Sequence, residues 1–117
     1  NSVVLMLTCG GFRMLLMGDA GFQAEQHLLE SGAVVHADVL KVGHHGSAYS
    51  SAPSFVAAVN PRYAIISAGR HNLFGHPAAT TLATLRSAGA TAYRTDLCGA
   101  VIVEFGLGLR MTTALRC

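Results

Sequence analysis

The apolar positions of this chain fall into short runs whose spacing changes from strand-like to helical and back. Residues 3–7 and 12–17 are mainly apolar and flank a Cys-Gly-Gly turn at 9–11. This pattern predicts a β-hairpin, because paired glycines supply the positive φ values of tight turns. Residues 22–31 have apolar positions at helical spacing, and Gly32 suits the position after a helix. The chain therefore opens with a hairpin and a helix.

Strands and helices alternate through the rest of the chain. The pattern predicts strands at 37–42, 62–67, 91–95, 99–105 and 109–116, and helices at 51–59 and 77–88. Ser50 or Ser51 is expected to cap the first of these helices, and Pro77 to open the second. Alternation of this kind is typical of an α/β layered fold, and 117 residues suffice for one domain.

Composition narrows the class of protein further. The chain is 51% hydrophobic and 12% charged, so it has more apolar surface to bury than an average soluble domain. Its apolar start directly after Asn1 is what we expect of a domain that has been cut. No apolar stretch reaches the roughly 18–20 residues of a membrane span, and no signal peptide is indicated. A net charge of +2 does not by itself predict nucleic-acid or membrane binding.

The three cysteines, Cys9, Cys98 and Cys117, are widely spaced and form no C-x-x-C motif. Neither a zinc ribbon nor a disulfide framework is indicated, and we expect buried or incidental thiols. Cys117 could form adventitious intermolecular bonds.

Chemically active side chains follow three of the predicted strands. Asp19 follows the first pair, His44 and His45 follow "VLKVG", and His76 ends the loop after "AIIS". Ligands collect at the carboxyl ends of parallel strands, so these residues would converge if the three strands are parallel. Carboxylate oxygen and imidazole nitrogen are donors in zinc and manganese sites. The pattern therefore indicates a metal site.

Each residue also has a structural interpretation. Asp19 could cap the helix at 22–31, and His76 could cap the helix that follows it. His44 or His45 alone could be a loop histidine bonded to the backbone. The remaining histidines are interpreted as solvated; they are His27, His36 and His71.

Four segments together resemble one known family. The chain is similar to the metallo-β-lactamase-like domain of the ComEC/Rec2 family of bacterial competence proteins in "LLMGDAGFQAEQHLLE", "DVLKVGHHGSAYSSAPSFVAAVNPRYAIISAG", "NLFGHP" and "YRTDLCGAVIVEF". The resemblance implies a four-layer αββα sandwich with a metal site at one edge of its sheets. It also implies a membrane protein of DNA uptake, whose soluble metallohydrolase-like domain acts as a nuclease on the non-transported strand.

The resemblance assigns roles by position. Asp19 corresponds to a catalytic aspartate that bridges two metal ions, zinc or manganese. His44 corresponds to a late histidine ligand, with His45 beside it as a further ligand, an outer contact or a phosphate contact. His76 corresponds to a catalytic residue on the substrate side, and Ser47 offers a hydroxyl to the same phosphate.

One departure limits what the resemblance implies. The family's H-x-H-x-D-H motif has no counterpart in this sequence, so we expect residues 1–117 to be the C-terminal half of the sandwich. The full domain would hydrolyse phosphodiesters of single- or double-stranded DNA with a divalent metal, and this chain alone would be inactive. Its expected partner is a second copy or the N-terminal half-domain.

The expected location is an extracytoplasmic soluble domain of an inner-membrane protein, without membrane contact by this segment, or otherwise the cytoplasm. Two alternatives stay open: a non-catalytic dimerising or interaction module, and a hydrolase of the same fold with a small-molecule substrate.

Overall fold

The computed structural model describes residues 2–117, so Asn1, where the sequence predicts a cut, lies outside it. The strands are β1 (Leu5–Cys9), β2 (Phe12–Leu16), β3 (Val39–Lys41), β4 (Tyr63–Ile66), β5 (Thr91–Arg94), β6 (Val101–Phe105) and β7 (Leu109–Thr113). The helices are α1 (Phe22–Glu30), α2 (Pro53–Val59), α3 (Ala79–Ser87) and α4 (Thr95–Cys98). This order confirms the mixed α/β class, and the αββα sandwich stays a prediction.

The first five strands form one sheet in the order β1-β2-β3-β4-β5. β1 and β2 are the predicted antiparallel hairpin, and β2 to β5 are mutually parallel. β2, β3 and β4 therefore end at the same edge, which confirms the condition for the three strand ends to converge. β6 and β7 form a separate antiparallel pair.

The core lies between this sheet and its helices. Leu15, Leu40 and Ala64 are register partners on neighbouring strands, and each is at most 3% exposed. Phe55 of α2 and Leu85 of α3 belong to the same buried cluster. Burial of large apolar side chains stabilises each by about 1.5–3 kcal/mol, so this layer holds the strand ends in place.

The opposite side of the sheet is covered differently. Val39 and Ile65 are buried there but lie outside the helix-packed cluster. The β6–β7 hairpin reaches this sheet through Phe105, whose ring centroid lies 5.9 Å from that of Phe12. At the sheet edge, β1 leaves Leu5 57% exposed, so part of the apolar surface lacks a protein neighbour.

The predicted helix caps are wrong at all three helices. Gly21 precedes α1, Ala52 precedes α2 and Ala78 precedes α3, and none of them makes a side-chain cap bond. The side chains of Asp19 and His76 therefore do not cap these helices. α3 begins at Ala79 rather than at position 77.

The start of α2 is held by a residue distant in sequence. The Glu25 carboxylate accepts hydrogen bonds from the backbone N–H of Ser51 and of Ala52, and Glu25 is 2% exposed. Burial raises the pKa of Glu25, and the bonds from Ala52 and Ser51 oppose that rise. Helical spacing alone does not indicate this contact.

The C-terminal segment corrects the prediction for two cysteines. Cys98 and Cys117 form a disulfide, whereas Cys9 is a free, exposed thiol. The bond returns the chain end to α4, a short helix that the pattern does not predict. β7 stops at Thr113, because the N–H of Leu115 donates to the carbonyl of Cys98.

Candidate histidine–aspartate site

The paired histidines lie on a single tight turn, Gly43–Gly46, directly after β3. His44 and His45 have φ values of 51° and 56°, in the left-handed region that non-glycine residues rarely occupy. Such conformations cost about 1–3 kcal/mol each and persist where surrounding contacts enforce them. Here the N–H of His44 donates to the Gly18 carbonyl at 2.8 Å, and Ser50 Oγ donates to the Gly43 carbonyl at 3.0 Å.

The two glycines of the turn are needed because it is enclosed by neighbouring segments. A Cβ at position 43 would collide with the carbonyl oxygen of Ala20. A Cβ at position 46 would lie 2.7 Å from Pro77 Cβ, at a φ of +80°. The segment after β2 and the start of the α3 region thus close on the turn from two sides, which brings Asp19 and His76 to the histidine pair.

His45 is oriented toward Asp19. Its Nδ1 lies 2.9 Å from the Ser67 carbonyl, which can only accept, so Nδ1 carries a proton. Its Nε2 lies 3.7 Å from Asp19 Oδ1. In that tautomer Nε2 has a lone pair facing a carboxylate oxygen, so the two atoms can donate electron pairs to one cation. Both side chains are more than half exposed, so an ion pair here contributes little to stability.

The other two predicted histidines are neighbours in the same cluster. The His44 ring centroid lies 5.8 Å from that of His76 and 6.5 Å from that of His45. His76 is also 6.5 Å from His45, with the rings 18° from parallel. The structure thus brings together all four side chains that the strand ends predict, and of the two neighbours it is His45 that faces Asp19.

Ser47 lies beside the cluster in a structural position. Its side chain is 3% exposed, and its Oγ accepts the N–H of Tyr49 at 3.1 Å. Its carbonyl accepts a hydrogen bond from Thr81 Oγ1 and shares the Ser50 hydroxyl proton with the Gly43 carbonyl. These bonds join the turn to α3, and a contact between Ser47 and a phosphate stays a prediction.

The arrangement does not by itself make a complete metal site. Within residues 2–117, no three side chains among His, Cys, Asp and Glu are placed to hold one ion. Asp19 and His45 match part of the donor set that zinc and manganese use, and a His whose other nitrogen donates to a carbonyl is typical of metal ligands. The cluster therefore has the donors of a partial site.

Charged side chains also lie near the ends of β3 and β5. Burial lowers the pKa of Lys41, at the end of β3, and the Asp19 charge opposes that decrease. At the end of β5, Arg94 donates to both carboxylate oxygens of Asp96, at 3.1 and 2.7 Å. That bonding lowers the pKa of Asp96. The position of Lys41 just before the turn is visible in the sequence, but the burial of its side chain is not.

The fold and the cluster define a mixed α/β domain with a histidine–aspartate site at the carboxyl edge of parallel strands. No family model matches the chain. The chain is 40% identical over 109 residues to competence protein ComA of Neisseria gonorrhoeae. Those residues are 92% of this chain and 16% of that protein. It is 39% identical over 101 residues to ComE operon protein 3 of Bacillus subtilis, covering 86% of this chain and 13% of that one.

A third relative is recombination protein 2 of Haemophilus influenzae, 34% identical over 105 residues, which are 90% of this chain and 13% of that protein. Most of this chain is therefore similar to one segment of each of these three longer bacterial proteins. The chain spans only 13–16% of the length of these relatives. No helix among residues 2–117 has the length and apolar character needed to cross a bilayer.

Proposed function

We propose that this chain is part of a metal-dependent phosphodiester hydrolase domain of the ComEC/Rec2 family, acting on DNA during uptake. The observation that carries the proposal is the 3.7 Å approach of His45 Nε2 to Asp19 Oδ1, at the strand edge where ligands collect. Similarity to competence proteins over 86–92% of the chain supports the DNA-uptake context.

Each residue of the cluster has a proposed role. Asp19 and His45 donate to a divalent ion, zinc or manganese, and His44 lies beside them as a further donor. His76 donates a proton or a hydrogen bond to a phosphate oxygen on the substrate side. The bound ion would stabilise charge on the phosphate, and the chain's own residues orient the groups around it.

Because residues 2–117 form an incomplete donor set, we propose that the remaining donors come from a partner. The partner would be an N-terminal half-domain with the H-x-H-x-D-H motif, packed as a second sheet on the open side of this one. The exposed side chains of Leu5 and Leu7, which lie on one face of β1, support such a cover, since exposed apolar surface marks sites of association. A second copy of the chain is the alternative cover, and the chain would then be an interaction module.

The disulfide supports a location outside the cytoplasm. Disulfides persist in oxidising compartments and are rare in the cytosol. Cys98 and Cys117 are bonded, so we propose that this domain of the intact protein faces an oxidising space.

Metal titration of the purified chain tests the proposal. We expect weak zinc and manganese binding that is lost in Asp19→Ala and in His45→Ala, because each removes one of two facing donors. His27→Ala is the matched control, since His27 is an exposed histidine on α1. Affinity unchanged in both site variants would contradict the proposed donor pair.

A further inference from the structure

A row of aromatic rings leads away from the histidine–aspartate site. The Phe74 ring centroid lies 5.7 Å from that of His76, with the rings 25° from parallel, and His76 is stacked in turn against His45. Phe74 is 81% exposed and forms the outer end of the row. A large aromatic ring left in solvent at this position has one face available for a ligand.

A small hollow lies beside the row. Its volume is about 190 Å³, and it is lined by His45, Ala68, Gly69, Asn72, Phe74 and His76. Sites for drug-sized ligands are about 300–1,000 Å³, so this hollow suits a single planar ring system rather than a larger molecule. Its wall is apolar at Ala68 and Phe74, and it also includes His45, whose Nε2 faces Asp19.

The loop that carries Phe74 is fixed by its own hydrogen bonds. Asn72 Nδ2 donates to the carbonyls of Gly69 and His76, at 2.9 and 2.7 Å. Asn72 Oδ1 accepts the N–H of His76 at 2.9 Å. Asn72 therefore connects the two ends of this loop, at Gly69 and His76. Because the loop is ordered before a ligand arrives, less conformational entropy is lost on binding.

We propose that Phe74 and this hollow bind one nucleobase of single-stranded nucleic acid, stacked on the Phe74 ring, beside the phosphodiester that reaches Asp19 and His45. The inference rests on the proposed function and adds that the DNA substrate is single-stranded at this site. Stacking on an aromatic ring tolerates any base, because every base has a π-face. Bases inside a duplex are already stacked, so the site selects unpaired nucleotides.

Binding of fluorescent oligonucleotides to the chain tests the proposal. One probe is a short single-stranded DNA, and the other has the same length and phosphates but abasic sugars. We expect Phe74→Ala to weaken binding of the base-bearing strand about 5- to 150-fold, the range that loss of one stacked base gives. Phe74→Tyr should restore it, since the ring is kept, and the abasic strand should bind all Phe74 variants equally.

Leu73→Ala is the matched control. Leu73 is 99% exposed, adjoins Phe74 and has no ring, so its loss should leave both probes unaffected. Thermal unfolding should be the same in all these variants because both side chains lie in solvent. Base stacking is supported if Phe74→Ala alone weakens binding of the base-bearing strand and leaves binding of the abasic strand unchanged.

Three other results overturn the proposal. If wild-type chain binds both probes equally and Phe74→Ala changes neither, there is no base site, and the proposed hydrolase function is unaffected. If Leu73→Ala and Phe74→Ala weaken the binding of both probes alike, the loop that carries Leu73 and Phe74 is a general apolar surface. If the chain binds neither probe, the nucleic-acid function itself fails together with the base site.

Discussion

Removal of the Glu25 carboxylate should destabilise the chain more than removal of any exposed acid. Glu25 is 2% exposed and accepts the backbone N–H groups of Ser51 and Ala52 at the start of α2. In Glu25→Ala the buried N–H of Ser51 and the half-buried N–H of Ala52 both lose their partner, and an unsatisfied buried group costs about 1–3 kcal/mol. Burial of the carboxylate itself opposes part of that contribution. We therefore expect a loss of about 2–3 kcal/mol in the free energy of unfolding.

Urea unfolding of the wild type and of two variants measures this difference. Glu30→Ala is the matched control, because Glu30 lies on the same helix, is exposed, and within residues 2–117 accepts one side-chain hydrogen bond, from Gln26. Its loss should cost no more than about 0.5 kcal/mol. If Glu25→Ala and Glu30→Ala are destabilised equally, the reasoning about buried N–H groups is refuted.

The pH dependence checks the same residue independently. Burial raises the pKa of Glu25 in the folded chain above its unfolded value. Its contribution is therefore complete below the unfolded pKa and decreases as pH rises through the folded pKa. The difference between wild type and Glu25→Ala should be larger near about pH 4 than near about pH 8. A difference that grows with pH would contradict the direction of the pKa shift.

The remaining predictions concern the C-terminal elements. Because bonding to Arg94 lowers the pKa of Asp96, Asp96→Asn should destabilise the chain by about 1–2 kcal/mol at neutral pH. That difference should disappear as pH falls through the lowered pKa, and a difference that persists in acid would contradict the linkage. Cys117→Ser should lower the free energy of unfolding by about 3 kcal/mol, as expected for a loop of 19 residues closed to Cys98. Equal stability of Cys117→Ser and the oxidised wild type in urea would contradict that contribution.

The sequence predicts the parts of the fold that depend on local pattern. Hydrophobic periodicity identifies the β1–β2 hairpin, α1 and the later strands, because apolar spacing records which face of an element is buried. The positions of Asp19, the His44–His45 pair and His76 after three predicted strands also indicate the site, whereas the resemblance favours His44 over His45 as the metal ligand. All of this information is contained within short segments.

Contacts between distant segments could not be predicted in the same way. The expected serine caps of α2 are replaced by Glu25, which is 26 residues from Ser51 and is a polar position on an otherwise ordinary helix pattern. The Cys98–Cys117 pairing likewise depends on how the last strand turns back, which spacing does not record. His45, rather than His44, faces Asp19 because its Nδ1 donates to the Ser67 carbonyl, a contact that depends on the tertiary structure.

X-ray absorption at the zinc edge of the zinc-loaded chain identifies the donor atoms and so tests whether Asp19 and His45 hold the ion. Ligation by Asp19 and His45 predicts nitrogen and oxygen donors only, with an imidazole signal that is lost together with the zinc in His45→Ala and is unchanged in His27→Ala. Sulfur scattering would instead identify the free thiol of Cys9 as a ligand and would contradict the account. An imidazole signal unchanged in His45→Ala, or a chain that retains no zinc, would contradict it equally.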